Sequence, residues 1–283
     1  LAGEHFRIPM STTFRWAIGL EYDGSAYAGW QTQASAPSIQ AVIERSLSAV
    51  ADHAVTLTGA GRTDAGVHAL QQVAHFDASA ARSARSWVFG ANTHLPPDVS
   101  ALWAVQVPDA FHARYSALSR TYRYVILNRA TRPALGRDRV CWIHAALDHE
   151  RMARAAALLV GEHDYSAFRS SECQSRTPIR RVEAIEVRRE GACVIIEARA
   201  NAFLHHMVRN IAGVLIQIGR GEAEVGWARE VLEGRDRRLG GVTAPAGGLY
   251  LAEVRYPPEF GLPAADSDAH GPSFMIPSEP PET

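Results

Sequence analysis

The chain contains no lysine: all of its 29 basic residues are arginine. That absence removes every mechanism built on a lysine ammonium, among them Schiff-base catalysis, the phosphate-gripping lysine of a P-loop and the strand lysine of a protein kinase. Cysteine is nearly as scarce. Cys141, Cys173 and Cys193 stand far apart with no C-x-x-C pair, so neither a disulfide framework nor a thiolate zinc site is expected, and each reads as a small buried hydrophobe. No apolar run reaches the ~18 residues needed to span a bilayer. Leu1 to Met10 carries charges and lacks the apolar core of a signal peptide. The expectation is a globular, cytoplasmic protein with no membrane segment.

What is present is ample for a core: 283 residues, 47% of them hydrophobic, can build one large or two modest domains. The formal net charge is only -1, but it is unevenly placed. From Pro257 to the end there are five acids (Glu259, Asp266, Asp268, Glu279, Glu282) and no arginine, which leaves the body mildly basic. Between His112 and Arg139, Arg114, Arg120, Arg123, Arg129, Arg132, Arg137 and Arg139 are opposed only by Asp138. A charge run of this kind is usually a solvated face. Here Tyr115, Tyr122 and Tyr124 are interleaved with it, and arginines among aromatics suit a phosphate backbone and unstacked bases.

Taken in order, Phe14 to Tyr22 alternates as a half-buried strand, and Ser38 caps a helix whose apolar residues Ile39, Val42, Ile43, Leu47 and Val50 recur at helical spacing. Short strands are predicted over 54–58, 71–77 and 101–107, with a helix over 83–92. In the second half, strands are predicted over 119–128, 179–189, 193–200 and 249–256. Helices are predicted from Asp148 through Leu159, from Met207 to Ile218 and over 227–232. The pattern is α+β. It divides into an N-terminal extension (1–13), a first subdomain (14–116), a second subdomain (117–256) and an acidic, proline-rich tail (257–283) whose composition predicts disorder.

Between two of the predicted strands lies the densest functional signal, Gly59-Ala60-Gly61-Arg62-Thr63-Asp64-Ala65-Gly66-Val67-His68. A turn accounts for the glycines; it does not account for Arg-Thr-Asp among them. Two phosphate-binding motifs fail here. The third glycine of a dinucleotide fingerprint would fall on Asp64, and Val67 stands where a P-loop needs lysine. Asp64, His68 and His75, with His205-His206, offer metal-ligand chemistry. Adjacent histidines cannot share one face of a helix, however, and no H-E-x-x-H is present, so no metal is expected. What remains is a lone carboxylate with arginines available to keep it ionised, suited to act as nucleophile or base.

The loop sequence Gly61 to His68 resembles the catalytic signature of the bacterial tRNA pseudouridine synthase A family, and further motifs follow in that family's order. They are Glu21-Tyr22-Asp23-Gly24, Gly29-Trp30-Gln31, Phe111-His112-Ala113-Arg114, Arg120-Thr121-Tyr122-Arg123-Tyr124, Gln174 to Pro178, Asn201-Ala202-Phe203, His205 to Asn210 and Gly248 to Leu251. The resemblance covers about Phe14 to Tyr256. It implies two similar α/β subdomains with mainly antiparallel sheets flanked by helices, a cleft between them that holds the RNA, and a homodimer. It also implies isomerisation of uridine to pseudouridine at positions 38, 39 and 40 of the tRNA anticodon stem-loop, with no cofactor and no metal. By the same matching Asp64 is the catalytic carboxylate, with attack on the sugar, attack on the base and removal of a sugar proton all open. Tyr122 matches a tyrosine that packs against the flipped base and assists loss of the C5 proton, Arg209 a basic partner of the aspartate, and Arg62 an arginine that assists flipping. Extruding a base costs a few kcal/mol, of which stacking on an aromatic returns ~1–3. The competing classes are an RNA-binding protein without catalysis, which has no need of Asp64, and a metal-dependent hydrolase.

Overall fold

The structure, a computed structural model, describes residues 13–263. One sheet of ten strands organises it. The first half contributes β1 (Phe14–Tyr22), β2 (Thr58–Gly59), β3 (His68–Ala78) and β4 (Val99–Gln106), with helices α1 (Ile39–Ala51) and α2 (Ala84–His94). The second half contributes β5 (Ser119–Asn128), β6 (Cys141–Ile143), β7 (Gly161–Asp164), β8 (Ile179–Glu190), β9 (Cys193–Ala200) and β10 (Leu249–Arg255), with α3 (His149–Ala157), α4 (Met207–Gly219) and α5 (Trp227–Gly234). The strand order is β4-β1-β3-β10-β5-β9-β8-β7, with β2 on β3 and β6 on β5. Most pairs are antiparallel. The halves meet where the last strand, β10, lies parallel to β3, pairing Tyr250 with His68 and Leu251 with Ala69.

Local chemistry explains most of these elements. Ser38, Ser83 and Asp148 cap α1, α2 and α3 through side-chain oxygens that accept backbone N–H groups of the first turn. In α4 the predicted stripe of Met207, Ile211, Val214, Leu215 and Ile218 is buried, as helical periodicity requires. β1 departs from the half-buried expectation: Trp16 to Leu20 is buried on both faces. The small residues Ala17 and Gly19 make this possible, since the Trp103 ring of β4 lies where a side chain on Gly19 would be. The strand expected over 54–58 is reduced to β2, and the helix expected to reach Leu159 stops at Ala157. Gly161, at φ +127, then opens the four-residue edge strand β7. At the C-terminal end Pro258–Phe260 forms a 3-10 turn with the Phe260 ring 5.1 Å from that of Phe111. Residues 264–283 of the tail and 1–12 of the extension lie outside the described residues.

One buried histidine links the fold to pH. On β3, His75 accepts the Ala113 N–H through Nδ1 at 3.2 Å and meets the Phe111 ring edge-on. Burial, with the His112 and Arg15 charges, pushes its pKa down to about 4 from 6.5. The folded state therefore holds the neutral ring, while the unfolded chain gains a proton below its ordinary pKa. Its contribution to stability is complete above the unfolded value and is lost as pH falls from there through the folded one. Across that window we expect a loss of about 1–3 kcal/mol from this group. Chemical denaturation across the same range is the measurement, and His75→Gln should show a flatter slope.

Candidate active site

The sheet order sets the site. Asp64 sits four residues before the first residue of β3; β10 is the next strand, and β5 the next again, where Tyr122 pairs with Leu251. Adjacent strands lie about 4.8 Å apart, so topology alone puts Tyr122 within two strand widths of the loop's exit. A hypothetical Cβ on Gly61 would lie 3.6 Å from the Tyr122 hydroxyl.

The loop is tied at nearly every residue. Ala60 N–H donates to Val73 O (2.7 Å), and Gln72 Nε2 donates to Gly61 O (2.8 Å). Thr63 Oγ1 bonds to the Tyr22 hydroxyl (2.8 Å), while Trp30 N–H donates to Thr63 O (3.0 Å) and Val67 N–H to Asp64 O (3.1 Å). Burial pushes the Tyr22 phenol up to about 12, and it stays protonated for this contact. Arg120 adds a cross-brace. Its buried guanidinium donates to Ala60 O (3.1 Å) at the start of the loop and to Asn201 O (2.9 Å) in the second half, with further bonds to Ala117 O and Arg114 O.

Against this scaffold the Asp64 carboxylate meets three groups, two just before α4 and one in its first turn. Arg209 Nη1 donates to Oδ2 at 3.2 Å, His205 Nε2 lies 3.2 Å from Oδ1, and His206 Nε2 lies 3.3 Å from Oδ2. Arg209 is itself fixed, its Nε donating to Ala244 O at 2.8 Å. The N-terminal end of a helix also favours an anion electrostatically. Burial pulls the His206 imidazole below its ordinary value, against the opposing effect of Asp64.

Together these groups lie in a cleft of about 1270 Å³ lined from both halves of the chain. Five arginines face it (Arg62, Arg114, Arg120, Arg180 and Arg209), against Asp64 and Glu172 as the acids. Tyr122 borders it with its ring edge-on to Phe203 at 5.1 Å, and burial raises its phenol well above the ordinary tyrosine value.

A family model described as tRNA pseudouridine synthase matches residues 20–116 and 155–257, more than half of the chain. The chain belongs to this family. The tRNA pseudouridine synthase A of Methylococcus capsulatus is 60% identical over 248 residues, covering 88% of this chain and 92% of its own length. The enzymes of the same name from Coxiella burnetii (57% over 249 residues) and Legionella pneumophila (54% over 248 residues) each cover 88% of this chain and 95% of their own. Asp64, Arg62 and Arg209 fall inside the matched segments; Tyr122 falls between them.

Asp64, Tyr122 and Arg209, far apart in sequence, are thus brought together in one member of the family. Arg62 lines the same cleft, exposed and with no ion-pair partner among the described residues. The arginine-tyrosine stretch divides. Arg114 and Arg120 reach the cleft, whereas Arg123 pairs with Glu197 at 3.1 Å, Arg139 with Asp23 at 2.7 Å and Arg137 with Asp138 at 3.2 Å. Tyr124 is a core residue whose hydroxyl donates to Pro245 O.

His68 and His75, grouped with Asp64 in the sequence, bond elsewhere: His68 stacks on Tyr250 and contacts Asp23. His205 and His206, set aside because neighbours in a helix point apart, both reach Asp64. They precede α4, and His206 has a left-handed backbone at φ 63, so helical geometry does not govern them. Their place beside Arg209 in one motif was the available signal.

Gly29 shows how closely the loop is held. At φ +100 it takes a conformation that side chains disfavour, and a Cβ there would lie 2.7 Å from Thr63 O and 3.1 Å from the Asp64 carbonyl carbon. Gly29→Ala is expected to displace Asp64 and lower turnover by about 10- to 100-fold. Steady-state kinetics beside a circular dichroism spectrum checks this; full turnover with the alanine would show that the loop tolerates movement.

Proposed function

We propose that this chain isomerises uridine to pseudouridine in the tRNA anticodon stem-loop at positions 38, 39 and 40, with Asp64 as its catalytic carboxylate. The observation that carries the proposal is the convergence of Arg209 on a loop-borne Asp64, in an arginine-lined cleft bordered by Tyr122. In this reaction the N1–C1′ bond breaks, the uracil turns, C5 bonds to C1′, the C5 proton leaves to water and N1 takes up a proton from water, so that the product is an isomer of the substrate. Asp64, opposite Arg209, is the group that supports the first and last bond changes. Tyr122, its phenol raised by burial and its ring at the cleft border, is assigned to packing against the extruded base and to assisting loss of the C5 proton. Arg62 and Arg114 are assigned to phosphates, with Arg62 also at the flipped nucleotide.

The proposal includes a homodimer in the cytoplasm, with residues 14–116 as the subdomain that carries the catalytic loop and 117–256 as the one that closes the cleft. It requires neither cofactor nor metal. The test is tritium release from tRNA carrying 5-tritiated uridine, followed by mapping of the modified positions. Release that persists in chelator supports metal-free isomerisation; loss of activity in chelator would support a metal-dependent enzyme. Modification away from positions 38 to 40 would overturn the site assignment.

A further inference from the structure

Asp64 and the two histidines beside it have a second chemistry that isomerisation does not use. One ligand atom from each of Asp64, His205 and His206 lies within 4.8 Å of the other two; His205 Nε2 is 3.2 Å from Asp64 Oδ1 and His206 Nε2 is 3.3 Å from Oδ2. Bonds of about 2.0–2.2 Å to a tetrahedral zinc ion set neighbouring ligand atoms about 3.3 Å apart, so the two histidine–carboxylate separations suit a coordination sphere as well as hydrogen bonds. The three side chains are neither sealed in the core nor free in solvent, and they face the cleft, which leaves room for water in a further position.

We propose that Asp64, His205 and His206 form a binding site for a borderline-soft divalent cation such as Zn²⁺, and that occupation blocks the enzyme by taking up its carboxylate. Two imidazoles and one carboxylate select Zn²⁺ and Co²⁺ over Mg²⁺, which prefers oxygen and holds its waters. The Mg²⁺ that accompanies RNA therefore leaves the site alone. Arg209 opposes the cation, since its guanidinium lies 3.2 Å from Asp64 Oδ2 and carries the same sign of charge. The enzyme thus holds its carboxylate with a cation of its own, and a metal must compete with that side chain.

Binding is measured without RNA, by calorimetric titration of the full chain with Zn²⁺ and by visible absorption on adding Co²⁺. We expect one ion per chain at this site and a Co²⁺ spectrum of nitrogen-oxygen coordination. His205→Ala and His206→Ala should each weaken it by at least the ~10–100-fold that loss of an outer-shell partner already costs a metal site. His94→Ala, at an exposed histidine in the last turn of α2, should leave it unchanged. Arg209→Met should tighten it, a sign that general loss of structure does not produce. As a check free of substitutions, Zn²⁺ should protect His205 and His206 of the wild-type chain from acylation of the imidazole. Affinity unchanged in both histidine variants, or no protection, overturns the site.

The inhibitory half rests on the proposed isomerase reaction. Zn²⁺ should stop tritium release, a chelator should restore it, and Mg²⁺ should have no such effect. Release that continues with the site saturated overturns inhibition while binding stands. Absence of release without any metal refutes the isomerase assignment and leaves the binding result intact.

Discussion

Asp64→Asn is expected to lower tritium release from tRNA by on the order of 10⁴-fold or more, the scale on which removal of a central catalytic side chain acts in other enzymes. The affinity for tRNA should stay within about threefold of wild type, because binding rests chiefly on arginine contacts to phosphate. The substitution keeps the side-chain shape, and the amide oxygen can still accept from Arg209. The bonds that hold the loop come from Ala60, Gly61, Thr63 and backbone groups, so they do not depend on the carboxylate. A loss of rate with binding retained separates an enzyme from an RNA-binding protein that merely displays the cleft. Release at the wild-type rate would sink the assignment of Asp64.

Arg209→Met is expected to be next in size, lowering the maximal rate by ~10²–10³-fold, the range for removing one well-placed donor from an active site. Arg209 is fixed at both ends of its guanidinium, by Ala244 O and by Asp64 Oδ2, which suits a positioning residue better than a mobile phosphate clamp. The two roles differ in what they change. If Arg209 orients the carboxylate, kcat falls, KM moves little, and the dependence of tRNA affinity on salt keeps its slope. If it contacts a phosphate, affinity falls, kcat is retained, and the slope on log salt shrinks by about 1. Arg62, exposed and without an ion-pair partner among the described residues, should give that second pattern. The same titration in wild type should show affinity falling steeply with salt; a flat response would remove phosphate neutralisation from the account.

The candidate catalytic carboxylate was legible because its surroundings are contiguous. Glycines, an arginine, a threonine and an aspartate within ten residues mark a backbone that approaches a ligand, and the ordered motifs from Phe14 to Tyr256 extended that reading to Tyr122 and Arg209. Strands and helices with long periodic patterns, such as β5 and α4, were equally readable. Short elements were not. β6 has three residues and β7 four with no large apolar side chain among them, too few for a period to show, and both exist because a neighbouring strand offers them hydrogen bonds.

By itself the sequence determined the α+β composition, the lysine-free chemistry, the position of the acid and the family's motifs, since each is written in local residue order. Only the tertiary structure decided what surrounds the acid. The parallel pairing of β10 with β3 brings Tyr122 toward the loop, Arg120 braces the two halves, and the left-handed backbone of His206 turns two histidines onto one carboxylate. The contact of Arg209 with Asp64 alone joins residues 145 positions apart. No local pattern encodes such distances: they follow from the order in which strands pair and from the few backbone angles that break a helix's rule of opposite faces.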